Sequence, residues 1–96
     1  MPTLALSARF GADFDALSAD QQAVFLAAVA YVVADLKTGA FRSSLRVKGV
    51  KGAARIFEMT WAADGRATFE YGSEITPGET HIIWRRVGTH DVFRTP

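Results

Sequence analysis

Apolar positions recur with helical spacing in the first half of the chain and with strand spacing in the second half. Residues 3–10 alternate weakly and predict a first strand, with Leu4 and Leu6 on one side. Residues 11–17 are assigned to a loop or a short helix. Beyond residue 55, short apolar runs are separated by turn signals, which is typical of strands. The pattern predicts a strand, a helix and three further strands.

The predicted helix has well-marked ends. Ser18 and Gln21 have capping-box spacing, with Ser18 as the N-cap. The helix continues to about Lys37 and ends at Thr38-Gly39, since glycine is the usual residue after a helix. Its core face is formed by Phe25, Leu26, Val29, Val32, Val33 and Leu36. A second stripe consists of Ala23, Ala27, Ala30 and Ala34, which reflect either helix propensity or a flat face for a partner helix.

The second half predicts an antiparallel meander. Its strands span residues 55–61, 66–71 and 81–87, joined by a turn at 62–65 and a loop at 72–80. Because the helix must cover the apolar side of this sheet, the other side is polar. That polar side is predicted to carry Glu58, Thr60, Arg66, Thr68 and Glu70. In the last strand Ile82, Ile83 and Trp84 are consecutive, so the pattern leaves open whether Arg85 or Arg86 faces the polar side.

Length and composition favour one domain over residues 1–96. Half of the residues are hydrophobic (49%), enough for one packed core. There is no cysteine, which excludes disulfides and thiolate metal sites, and only two histidines are present. Neither a signal peptide nor a bilayer-spanning apolar run is recognised, because the longest such run, residues 23–34, is too short. We expect a soluble, cytoplasmic protein that uses no metal or cofactor and binds no membrane.

The charges are unevenly distributed although the net charge is only +1. Residues 37–57 contain six cations and no acid, whereas the segments on both sides are acidic. Since charges beyond a Debye length are screened, a polyanion responds to local charge. The basic segment is therefore either a phosphate-binding surface or a solvated loop.

Several residue types suit the cleavage of RNA without a metal. His90 is a candidate to give or take a proton, since imidazole is the side chain most often used as a general acid or base. Arg66, in the middle of a strand, has a guanidinium that fits a phosphate, and Lys48 and Lys51 lie in a glycine-broken segment. Phe93 is a stacking candidate, as is Trp84. Each also has an ordinary structural explanation: a surface histidine, a cross-strand ion pair or a core aromatic residue.

Three stretches together resemble the RelE/ParE toxins. The first lies within the basic segment, at 45–52 (LRVKGVKG). The second is a hairpin at 55–61 and 64–71 (RIFEMTW, DGRATFEY), and the third is a C-terminal strand and tail at 81–93 (HIIWRRVGTHDVF). The resemblance implies an α+β fold in which an N-terminal strand and a helix, or a helical hairpin, pack on one face of a twisted antiparallel sheet. It also implies a ribosome-dependent mRNA endonuclease that is silenced by a cognate antitoxin.

The resemblance also implies roles for particular residues. Catalysis would fall to His90, Arg66 and Lys51, through attack of the 2′-hydroxyl on the phosphate. Phe93 stands where many relatives have a tyrosine, and it cannot donate a proton. The residues that would bind the substrate are Lys48, Arg55, Arg46, Arg85, Arg86 and Phe93. Two alternatives remain: a non-catalytic toxin that binds DNA gyrase, and an inactive module that binds only an antitoxin or RNA.

Overall fold

The computed structural model describes residues 2–96 as two helices on one face of a five-stranded sheet. The predicted single domain also includes Met1, which lies outside the described residues. The strands are β1 (Thr3–Leu6), β2 (Lys48–Gly49), β3 (Phe57–Thr60), β4 (Gly65–Gly72) and β5 (His81–Thr89). The helices are α1 (Ala8–Asp15) and α2 (Ala19–Thr38), with short 3-10 helices at Ser43–Leu45 and His90–Arg94.

The sheet is mixed, in the order β1-β5-β4-β3-β2. The predicted antiparallel meander is β3, β4 and β5, and β1 joins its edge parallel to β5. A parallel connection needs a long crossover, and most of the chain lies between these two strands. The α+β fold class is confirmed. The structure differs from the prediction in the parallel pair at the sheet edge, in the additional strand β2, and in residues 8–10, which begin α1 and do not continue the first strand.

The predicted ends of α2 are confirmed. Ser18 Oγ accepts from the Gln21 amide (3.1 Å), and the Gln21 side chain accepts from the Ser18 amide (2.8 Å). Gly39 follows the helix with φ +79°, the left-handed conformation that glycine adopts without strain. Residues 11–17, left open by the sequence, contain most of α1, whose N-cap is Ser7.

The core lies between the helices and the sheet. Phe10 of α1 and Phe25 of α2 pack on Trp84 of β5, with ring centroids 5.5 to 6.1 Å apart. Trp84 is therefore a core residue and is unavailable for stacking on a base. By length and composition alone α2 could cross a bilayer, as could many core helices; here Phe25, Ala28, Val32 and Asp35 are buried on its inner side.

Candidate nucleic-acid interface

The polar face of the sheet lies on the side away from the helices. Glu58 pairs with Thr68, and Thr60 pairs with Arg66, so these four residues share a face as predicted. Their sequence neighbours Met59 and Ala67 are completely buried in the core. The polar face therefore follows directly from strand alternation.

A β-bulge directs two adjacent arginines to this polar face. Thr68 pairs with Arg86 and Phe69 pairs with Trp84, which leaves Arg85 without a cross-strand partner. Trp84 and Val87 on either side are both buried in the core. An extra residue in one strand shifts the alternation by one, so two neighbours point the same way. The question left open by the sequence is thus answered: both arginines lie on the polar face.

Arg85 and Arg86 line a cleft of about 510 Å³ on this face. Arg9, from the first turn of α1, lines the same cleft, as do Glu70 and Ile83. Sequence reasoning missed Arg9, although it is the only cation in the first 36 residues. Three guanidinium groups around one concavity favour an anionic ligand, because arginine binds phosphate through a planar fork of donors.

Both bulge arginines also have carboxylate partners. Arg86 donates to both carboxylate oxygens of Asp13 on α1, at 2.5 and 3.2 Å. Arg85 lies 3.3 Å from a carboxylate oxygen of Glu70. The Arg86 pair is largely shielded from water, with side chains 15% and 18% exposed, whereas the Arg85 pair is about one third exposed. Arg85 is thus the more accessible of the two cations.

Residues 95 and 96 lie over the same cleft. The carbonyl oxygen of Pro96 accepts from Thr68 Oγ1 (3.0 Å) and from Arg85 Nε (3.1 Å). The carbonyl oxygen of Thr95 accepts from Arg86 Nη1 (3.0 Å), which also donates to the Thr95 hydroxyl (2.8 Å). The bulge arginines are therefore satisfied by backbone oxygens as well as by carboxylates.

Two of the predicted catalytic residues, His90 and Arg66, are not among the residues that line this cleft. His90 begins the second 3-10 helix, is exposed, and packs edge-on against Phe93 at 4.7 Å between ring centroids. Arg66 donates to the carbonyl oxygens of Ala62, Ala63 and Gly65 in the β3–β4 turn, at 2.9 to 3.4 Å. Within residues 2–96 no hydrogen bond joins Arg66 to His90, although Arg66 pairs with Gly88, two residues before His90.

The predicted basic segment lies at the β2 edge of the sheet. Lys48 is 3.9 Å from Glu58 across β2 and β3, while Lys51 lies exposed in the turn that follows. Arg46 and Arg55 are exposed and have positive φ of 50° and 67°. Ala53 and Ile56, on the loop with Lys51 and Arg55, line the arginine cleft. The loop that carries Lys51 and Arg55 therefore borders the cleft, although these two cations do not themselves line it.

Comparison with solved structures identifies the fold. The chain superposes on YafQ in the E. coli DinJ–YafQ complex with a TM-score of 0.65, at 14% identity over 95% of this chain and 94% of that one. For the YoeB/ParE toxin of Agrobacterium tumefaciens the TM-score is 0.67, at 12% identity over 92% and 98%. This is the RelE/ParE fold.

A third solved structure agrees with these two. The RelB–RelE antitoxin–toxin complex of Methanococcus jannaschii gives a TM-score of 0.61 at 16% identity, covering 96% of this chain and 99% of that one. No protein-family model and no curated protein matches the chain in sequence. The likeness is one of shape.

Within this RelE/ParE fold the predicted site residues divide into three groups. Arg85 and Arg86 line the cleft; Lys48, Lys51, Arg46 and Arg55 belong to the basic segment; and His90 and Phe93 lie beyond β5. In residues 2–96 no group of three or more His, Cys, Asp or Glu side chains is arranged to hold a metal ion. The roles of all these residues stay predictions.

Proposed function

We propose that this protein is the toxin of a type II toxin–antitoxin pair and cleaves mRNA on the ribosome without a metal. The observation that carries the proposal is the arginine cleft on the polar face of a RelE/ParE fold. Three guanidinium groups there can hold the phosphodiester backbone, and exposed Lys51 and Arg55 lie on the bordering loop to extend the contact. The protein would act in the cytoplasm, with an antitoxin as its partner.

The proposed reaction is an internal transfer of the phosphate. The 2′-hydroxyl of one nucleotide attacks the adjacent phosphorus and gives its proton to a base. The bond to the 5′ oxygen breaks, and that oxygen takes a proton from an acid, which leaves a 2′,3′-cyclic phosphate. Because Phe93 has no hydroxyl, His90 and Lys51 are the candidates for these two proton transfers.

The developing phosphorane charge requires cations close to the phosphate. Arg85 and Arg86 already face the cleft, whereas Arg66 would first have to leave the carbonyl oxygens of its own turn. We therefore assign phosphate binding to Arg85 and Arg86, with Arg66 as an additional contact. Arg46 and Lys48, at the β2 edge of the sheet, would hold the RNA to one side of the cut.

The outer face of α2 supports the antitoxin as a partner. Val24, Leu26 and Tyr31 are about half exposed, and the alanines between them keep this face flat. Apolar side chains grouped on one surface are typical of a protein contact. The two toxin complexes with the same fold, DinJ–YafQ and RelB–RelE, each contain an antitoxin.

Induced expression in a bacterial host tests the proposal. The wild type should arrest growth, and mapped mRNA 5′ ends should reveal new cuts that require ribosomes. His90→Ala should restore growth and reduce cleavage about 100-fold or more, the usual contribution of a general acid or base. Asp91→Ala, an exposed change at the next position, is the matched control and should remain toxic.

Other outcomes would identify the alternatives. If His90→Ala and Arg66→Ala are both as toxic as the wild type, the nuclease assignment fails. Growth arrest with intact mRNA and inhibited purified gyrase would indicate a ParE-like toxin that binds its target without cleaving RNA. Harmless overexpression of the wild type would leave a module that only binds an antitoxin or RNA.

A further inference from the structure

Residues 95–96 satisfy donors that an anionic ligand would need. Thr68, Arg85 and Arg86 together donate four hydrogen bonds to three oxygen atoms of Thr95 and Pro96, at 2.8 to 3.1 Å. Thr68 is left completely buried. The same donors, two guanidinium groups and a hydroxyl, are a suitable set for the non-bridging oxygens of a phosphodiester. Two occupants therefore compete for one set of donors.

Phosphate is the stronger of these two acceptors. The two Thr95 oxygens that accept from Arg86 are neutral, whereas phosphate oxygens carry charge, and hydrogen bonds between ionised partners are roughly twice as strong. The segment has one advantage, which is that it is already attached and loses little freedom on binding. An anionic ligand can therefore displace residues 95–96 from these donors.

The segment can leave without disturbing the core. The last core residue is Val92, 4% exposed, and residues 94 and 95 are exposed. The backbone amide of Thr95 donates to the Val92 carbonyl oxygen, at 3.3 Å. Residues 94–96 can therefore move while Val92 stays packed in the core.

We propose that residues 95–96 form a latch that occupies the phosphate position of the cleft and must be displaced before RNA binds there. This inference rests on the proposed RNA-binding role of the polar face. The apparent affinity for RNA equals the affinity of the open form multiplied by the fraction of molecules in which the latch is open. A partner or ribosomal surface that holds residues 95–96 away would raise that affinity.

The test loosens the latch without changing the cleft. Thr95→Gly combined with Pro96→Gly removes one acceptor and increases the freedom of the released segment, so a short 2′-O-methyl oligouridylate should bind about five-fold more tightly. The matched control is Thr76→Gly with Pro77→Gly, the same dipeptide in an exposed loop, which should leave affinity unchanged.

The position of the latch is followed separately by the amide NMR signal of residue 95. In the wild type, saturating RNA should move this signal to its random-coil position. The latch is overturned if RNA binds and the signal stays, or if the glycine variant has a released segment and unchanged affinity; RNA binding itself then stands. If the wild type does not bind, binding by the glycine variant supports the latch, and no binding by either removes both proposals.

Discussion

Asp13 shows how one side chain joins a helix to the polar face. Its carboxylate accepts from Nε and an Nη of Arg86 and from the backbone amide of Val87 (3.3 Å). Because Asp13 and Arg86 are mostly shielded from water, removing one charge leaves the other without compensation. The pair therefore fixes α1 on β5 and also orients a cation at the cleft.

Asp13→Asn should lower the free energy of unfolding by about 2 kcal/mol, because the amide keeps the shape and loses the charge that Arg86 faces. Urea unfolding at neutral pH measures the loss. Asp15→Asn, on the exposed side of the same helix, is the control and should stay within about 0.5 kcal/mol of the wild type. Equal stability of the two variants would contradict the structural role given to Asp13.

The β3–β4 turn requires a glycine at position 65. A Cβ on Gly65 would lie 2.6 Å from a ring carbon of Trp61. The Trp61 indole also donates to the Arg66 carbonyl oxygen (3.0 Å) and packs edge-on against Phe25. The Asp-Gly signal identified the hairpin, but the need for glycine here arises from the tryptophan that folds over the turn.

Gly65→Ala should destabilise the protein by about 2 kcal/mol, since the Trp61 ring must move out of its contacts. Tryptophan fluorescence and thermal unfolding check the ring position and the stability. Gly11→Ala is the opposite case: nothing lies within 4 Å of the added methyl group, and alanine favours α1 by up to about 1 kcal/mol. A neutral Gly65→Ala variant would show that the ring does not rest on the turn.

The connection from α2 to the sheet makes the stability of the whole molecule depend on pH. Asp35, near the end of α2, accepts from the Arg42 backbone amide and from two guanidinium nitrogens, all at 2.9 Å. These bonds lower the pKa of Asp35 from 3.8 to about 2. The Arg42 guanidinium also lies 4.1 Å from the centre of the Tyr31 ring, so the chain leaves α2 along a defined path.

A carboxyl group whose pKa falls on folding stabilises the folded state fully above its unfolded pKa, and loses that effect as the pH drops through its folded pKa. Asp35→Asn should therefore lower the urea midpoint at pH 7, and its difference from the wild type should shrink between about pH 4 and pH 2. Asp64→Asn, in an exposed turn, is the control and should show no such convergence. A difference that stays constant down to pH 2 would contradict the assignment.

Local signals were enough for the elements whose information lies within a few residues. The capping box at Ser18 and the glycine at position 39 mark α2, because both act through hydrogen bonds or dihedral angles of adjacent residues. The alternation of apolar and polar residues predicts which side chains of β3 and β4 share a face, and Glu58 and Thr68 were correctly assigned to the polar side. The two-residue β2 was missed, since its pairing with β3 depends on a distant strand.

The candidate site was only partly predictable from the sequence. Arg85 and Arg86 were recognised as candidates, but their common direction results from a bulge opposite Thr68, which exists only once β4 and β5 pair. Arg9 reaches the cleft because β1 joins β5 in parallel and carries α1 with it. The hydrogen bonds of Arg66 to the carbonyl oxygens of its own turn likewise form only once the hairpin has folded.

The amino-acid sequence alone determined the order of the main elements, the apolar and polar sides of the central hairpin and the local excess of cations. These properties depend on backbone preferences and side-chain periods over short stretches of chain. Tertiary structure decided which arginines converge, which carboxylates pair with them, and that residues 95–96 cover them. Such contacts join residues up to 78 positions apart, as between Ser7 and Arg85, and no local preference encodes a partner at that distance.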